Sequence, residues 1–171
     1  MGVSNGRGVI AAAGGFLVAL FALGAVGAAH AQSLYDTLTH SGACFARSYS
    51  EAHLRAHPDQ TVTRFVLGDP GSDWRETQTR AHYNVAFGFR ILGSNDTFSG
   101  VAICAPRGLV AACDIEGDGG AFTIERNGAG LRVRLGRMQV EGMHDFSPDL
   151  ALRDNRVMRL RPAQRSACRT D

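Results

Sequence analysis

The stretch T-F-S-G-V-A-I-C-A-P-R-G-L-V-A-A-C-D-I-E-G-D-G-G-A-F-T-I-E-R, residues 97–126, decides the fold. Short runs of small apolar and β-branched residues are punctuated by two turn clusters, Pro106-Arg107-Gly108 and Glu116-Gly117-Asp118-Gly119-Gly120. This spacing predicts strands at 98–104, 109–115 and 121–126, joined as two hairpins that share the middle strand. The first hairpin sets Cys104 and Cys113 on either side of its turn, so cross-strand proximity makes them natural partners.

Upstream, residues 82–92 alternate cleanly. Tyr83, Val85, Phe87, Phe89 and Ile91 fall on one face, and His82, Asn84, Ala86, Gly88 and Arg90 on the other. Period two over this length predicts a half-buried strand, with Gly88 marking a bend or bulge. Strands are also expected at 43–48 and 61–67. Between them, Ser48-Tyr49-Ser50-Glu51 has capping-box spacing and opens a short helix over 51–57, stopped by Pro58. Residues 32–42 read as a polar lead-in, extended or poorly ordered. Residues 68–81 form the longest loop and carry the lone tryptophan, Trp74.

Downstream, Asn127-Gly128 is a hairpin signal. Leu131, Val133 and Leu135 alternate with Arg132 and Arg134. Gly136-Arg137 is expected as a further turn, before a short strand with Met138 and Val140. Residues 144–155 form a second long loop. A last strand at 156–161 turns Met158 and Leu160 inward and Arg159 and Arg161 outward. This pattern of eight or nine strands predicts an all-β domain with one short helix: an antiparallel up-and-down β-barrel of about eight strands, with a β-sandwich as the alternative.

The first residues point to export. Arg7 precedes an apolar run over 9–28, and Ala29-His30-Ala31 is a small-x-small cleavage site. Residues 1–31 therefore read as a cleaved secretory signal, and 32–171 as a single disulfide-stapled β-domain, periplasmic or secreted, with no stable membrane insertion after cleavage. All four cysteines follow the signal, which predicts two disulfides. Sequence alone allows three pairings. Taking Cys104–Cys113 as the hairpin pair leaves Cys44–Cys168. The absence of any C-x-x-C spacing argues against zinc. All 18 basic residues are arginine, and without Arg7 there are 17 against 16 Asp+Glu. A nearly neutral domain is not expected to bind nucleic acid, nor to be steered onto a cationic enzyme such as lysozyme.

Several constellations carry candidate chemistry. Asp114, Glu116, Asp118 and Glu125, with Gly119, match calcium-loop spacing, but strands flank them where helices are required, so a solvated acidic turn is the favoured reading. His53 and His57 share a helical face without an evident third ligand. Arg132, Arg134, Arg159 and Arg161 read first as solvent-facing arginines paired with acids such as Glu141 and Asp154; if their strands are neighbours, the alternative is a basic face for phosphate, carboxylate or anionic glycan. Trp74 reads as a barrel lid or end-plug, or as an exposed aromatic contact. Tyr83, Phe87 and Val133 would line a ligand site in a hollow barrel. No nucleophile elbow, H-E-x-x-H or phosphate loop is present, so no catalytic residue and no cofactor is assigned. The expected function is non-catalytic binding of a small molecule or an envelope protein. The alternative is a metal-dependent or hydrolytic envelope enzyme built on His53, His57 or the acidic turn.

Cys44-Phe45-Ala46-Arg47-Ser48-Tyr49, His53-Leu54 and His57-Pro58-Asp59-Gln60-Thr61-Val62, with the paired cysteines and the Glu116-Gly117-Asp118 turn, resemble small secreted alphaproteobacterial proteins of unknown function. The resemblance covers most of the chain after the signal. It implies export and a shared fold, and brings no activity.

Overall fold

The computed structural model describes residues 1–2, 33–74 and 76–169. Apart from its first two residues, the expected signal segment lies outside them. The compact unit Ala31–Asp171 holds the fold. Its strands are β1 (Cys44–Ser48), β2 (Val62–Gly68), β3 (Tyr83–Ile91), β4 (Phe98–Arg107), β5 (Val110–Ile115), β6 (Gly120–Asn127), β7 (Gly130–Met138) and β8 (Val157–Pro162). They close into an antiparallel barrel in sequence order, β8 returning to β1. Closure removes the sandwich alternative. Among the described residues, no helix is long and apolar enough to cross a membrane.

The alternation read at 82–92 is the alternation observed. Tyr83, Val85, Phe87 and Phe89 are buried, as are the inward residues Ala102, Cys104, Phe122, Ile124, Leu131, Val133, Met158 and Leu160 on other strands. An eight-stranded barrel is just wide enough for side chains to fill it. Here aromatic rings do so: Phe89 stacks on Phe98 at 5.1 Å between centroids, and Phe87 meets Phe122 edge-on at 6.1 Å. Gly100 is small for this reason, since a Cβ there would stand 2.9 Å from Phe87 Cζ.

Two disulfides staple the barrel, Cys104–Cys113 and Cys44–Cys168. The first joins directly paired residues of β4 and β5. The second ties the start of β1 to the segment after β8.

Several local expectations give way to different solutions. Residues 34–39 form a helix, α1 (Leu34–Thr39), instead of an extended or poorly ordered lead-in. Ser33 caps it by accepting from the Asp36 amide, and Leu38 is completely buried in the barrel core. Fewer than two turns of helix are not stable alone, so this burial is what holds it. It is α1, not Trp74, that plugs this end of the barrel, with Tyr35 packed edge-on against Tyr83. The second helix, α2 (Glu51–Ala56), is capped by Ser50 and not Ser48, because Ser48 is still paired with Arg64 in the sheet. The first hairpin turn is Gly108-Leu109, with Pro106 and Arg107 still in β4. No turn forms at Gly136-Arg137. β7 runs through it, and a register shift between Gly120 and Phe122 of β6 absorbs the irregularity, so there are eight strands and not nine. Gly88 pairs regularly, and the comparable shift in that part of the sheet lies between Val62 and Arg64.

Candidate functional site: a slit in the barrel wall

The barrel is closed unevenly. β3 and β4 pair continuously from Tyr83↔Cys104 to Phe89↔Phe98. β1 and β8 are joined only by Phe45↔Pro162 and Ala46↔Arg161. The Ala163 amide also donates to the Cys44 carbonyl at 2.9 Å. Hydrogen-bonded pairs alternate along an antiparallel ladder. Cys44 opposite Ala163 therefore makes Ala46–Arg161 the next such pair and Ser48–Arg159 the one after. That last pair does not form. The strands part, and the Arg159 and Val157 peptide groups that face β1 have no strand partner there.

The slit is pinned at both ends. At one end stand the Cys44–Cys168 bridge and the short ladder. At the other, the buried Asn155 accepts through Oδ1 from Gln60 Nε2 at 3.0 Å and from the Thr61 and Val62 amides at 3.0 and 2.9 Å. Its Nδ2 donates to Thr61 Oγ1 at 2.7 Å. Between the pins, a groove of about 1010 Å³ runs beside β8, lined among others by Arg47, Tyr49, His53, His57, Asp154, Arg159 and Arg161.

One wall is a ladder of planar groups. The Arg47 guanidinium lies 4.8 Å over the Tyr49 ring, Tyr49 stacks on His53 at 4.9 Å, and His53 stacks on His57 at 4.4 Å. The two histidines share a face because His57, the residue that ends α2, donates its amide to the His53 carbonyl one turn back at 3.0 Å. Burial raises the Tyr49 phenol above its ordinary value, against the opposing charge of Arg47.

The basic face held as the alternative for Arg132, Arg134, Arg159 and Arg161 is assembled, since β7 and β8 are neighbours with Arg132 directly opposite Arg159. Its two halves differ. On β6, Glu125 Oε1 lies 2.7 Å from Arg132 Nη1 and 3.7 Å from Arg134 Nε. The guanidinium groups of Arg159 and Arg161 have no carboxylate partner among the described residues. Like charges opposite one another on a sheet destabilise it, so the β8 half is an unbalanced positive patch.

The other candidates fall elsewhere. Tyr83, Phe87 and Val133 are at most 2% exposed and belong to the packed core, where burial pushes the Tyr83 phenol up to about 12. Asp114 lies opposite Ala121, whereas Glu125 lies opposite Val110, four residues along the hairpin and about 13 Å away. The acidic constellation is therefore not gathered around one point, and Glu125 serves the arginines. Among the described residues, no group of three or more His, Cys, Asp or Glu is placed to hold a metal ion. Trp74 is partly exposed and lines a second surface groove of about 710 Å³ with Val101, Phe146 and Arg137. Sequence reasoning missed Arg47 and Tyr49 as site residues. Their signal was the strand-to-helix junction itself, a short β1 followed by a helix that carries His53 and ends on His57.

No family model matches this chain, and no curated protein or solved structure matches it.

Proposed function

We propose that this protein is an exported, non-catalytic binding domain that holds an anionic group on its outer surface along β8, not a ligand enclosed in the barrel. The carrying observation is that Arg159 and Arg161 face a large groove and, among the described residues, neither is ion-paired, although the Asp154 carboxylate lines the same groove. A guanidinium pairs with carboxylate or phosphate through parallel N–H donors, so a free pair two residues apart on a strand is suited to recognise such groups. The filled interior supports an external site. Two disulfides and the expected signal segment support a periplasmic or secreted location.

The test is calorimetric titration with citrate, inorganic phosphate and a glutamate-rich peptide, at low and high salt. Binding that weakens with salt and disappears in the Arg159→Ala/Arg161→Ala double variant is the expected result. If none of the three anions binds the intact protein, or if the double variant binds as well, the reading fails.

A further inference from the structure

The slit carries a second kind of information besides charge. On the β1 side, the N–H and C=O groups of Val157 and Arg159 point into the groove and not into a ladder. Ser48 on the facing edge is in the same position, because it is the β1 residue whose peptide groups should meet Arg159. An unpaired strand edge is a template for another strand. Most proteins blunt such an edge, and Arg159 and Arg161 do so here against basic or neutral segments. Toward an acidic segment the same two arginines become partners.

We propose that the parted β1–β8 seam takes up an extended, acidic polypeptide segment, which adds a strand to the free edge of β8. This rests on the anionic-ligand reading above and names the ligand. Backbone hydrogen bonds to Val157 and Arg159 supply register-independent affinity. Arg159 and Arg161 lie on one face, two residues apart; Arg159 stands directly opposite the incoming strand, and Arg161, whose own cross-strand position is taken by Ala46, reaches its carboxylates diagonally. Arg47, held over Tyr49, stands at the same groove and adds a third positive charge. Arg161 and Pro162 are already paired with β1, so the free part of β8 runs from Val157 to Leu160, which sets the usable edge at about 13 Å and the segment at roughly four residues.

The test uses the full exported domain and fluorescent, end-blocked peptides. The reference peptide alternates glutamate with valine or threonine. A second has the same composition with its glutamates adjacent, and a third is the reference N-methylated on the residues whose amides would face β8. Citrate is the competitor. The alternating peptide is expected to bind, with about tenfold weaker binding for each of the other two. It should slow hydrogen exchange at the Val157 and Arg159 amides, and Arg159→Ala/Arg161→Ala should abolish binding without moving the unfolding midpoint. If the N-methylated peptide binds as tightly as the reference, and citrate displaces both, the groove takes small anions. Strand addition then falls while the anionic-ligand reading stands. If neither peptide nor citrate binds, both fall together.

Discussion

The wall formed by β3, β4, β5 and β6 and the seam between β1 and β8 are made of the same kind of strand yet are held differently. In the wall, each strand is paired along most of its length, and Cys104–Cys113 reinforces residues that already face each other. At the seam, two residue pairs do the closing, and the Cys44–Cys168 bridge and Asn155 fasten the ends. A ladder resists separation everywhere along it. Two pins resist separation only at their own positions and leave the span between them available. The difference teaches that this barrel is closed covalently and through one side chain where it is not closed by its backbone.

The largest expected effect follows from removing the covalent pin. Cys44 and Cys168 are 124 residues apart, and chain-entropy reasoning assigns a bridge over so long a loop about 4–5 kcal/mol. The bridge across the hairpin, with a separation of 9, is assigned about 2.5 kcal/mol. Cys44→Ala/Cys168→Ala should therefore lower the urea midpoint strongly, and amides of β1 and β8 should lose exchange protection before those of β3 to β6. Uniform loss of protection over all strands would show that seam and wall open as one unit.

The second pin is the smaller of the two. Asn155→Ala removes the acceptor of two backbone amides at the start of β2 and leaves them in a buried setting. Unsatisfied buried donors make this cost about 3 kcal/mol, measured by equilibrium denaturation. A loss below about 1 kcal/mol would mean that water replaces Asn155 and that the seam is open at this end too.

Within the wall, the weakest point is steric. Gly100→Ala places a methyl against the Phe87 ring, and overpacking of this kind costs about 1–3 kcal/mol. The effect should appear as a faster unfolding rate with no change in peptide or citrate binding, because Gly100 is remote from β8 in the sheet order. Altered binding in Gly100→Ala would couple wall to slit and weaken the contrast drawn between them.

The wall was far more legible in the sequence than the seam. Residues 82–92 and 97–126 announce themselves because every second side chain is apolar and every turn contains glycine. The disulfides were legible because the hairpin left one pairing over. At the seam, nothing local encodes a missing pair: Arg47, Ser48, Val157 and Arg159 are ordinary strand residues, and only the point at which β1 leaves β8 makes them a site. The arginine face was half-readable for the same reason. Alternation put Arg132, Arg134, Arg159 and Arg161 on one side, but only strand order shows that Glu125 balances one half. α1 was obscured by its polar composition, since its stability comes from burying Leu38 in the barrel and not from helix propensity. The expected turn at Gly136-Arg137 failed because a glycine beside a register shift can continue a strand as well as end one.

The smallest effect concerns the loop that links the two regions. Residues after β7 are anchored to the wall through Asp96, in the turn between β3 and β4. Its Oδ2 accepts from the His144 amide at 3.0 Å, and its Oδ1 meets His144 Nδ1 at 2.5 Å. The bonds from the His144 ring and backbone hold the Asp96 carboxyl below its usual 3.8, with burial opposing them in part. A carboxyl with a depressed folded-state value adds stability that is fully present above the unfolded value and is lost as pH falls through the folded one. Acidification below about pH 4 should thus destabilise the native chain more than Asp96→Asn, compared as denaturation midpoints at matched pH. Asp36 is lowered as well, by the Ser33 hydroxyl and Arg80, but it is present in both proteins and cancels in the difference. Because Asn155 and the disulfide do not titrate in this range, acid should loosen the loop from the wall while both pins of the slit hold. Exchange protection at the His144 amide should fall with pH before that at Val62, whose amide is bound to Asn155. The reverse order would place the weaker attachment at the seam.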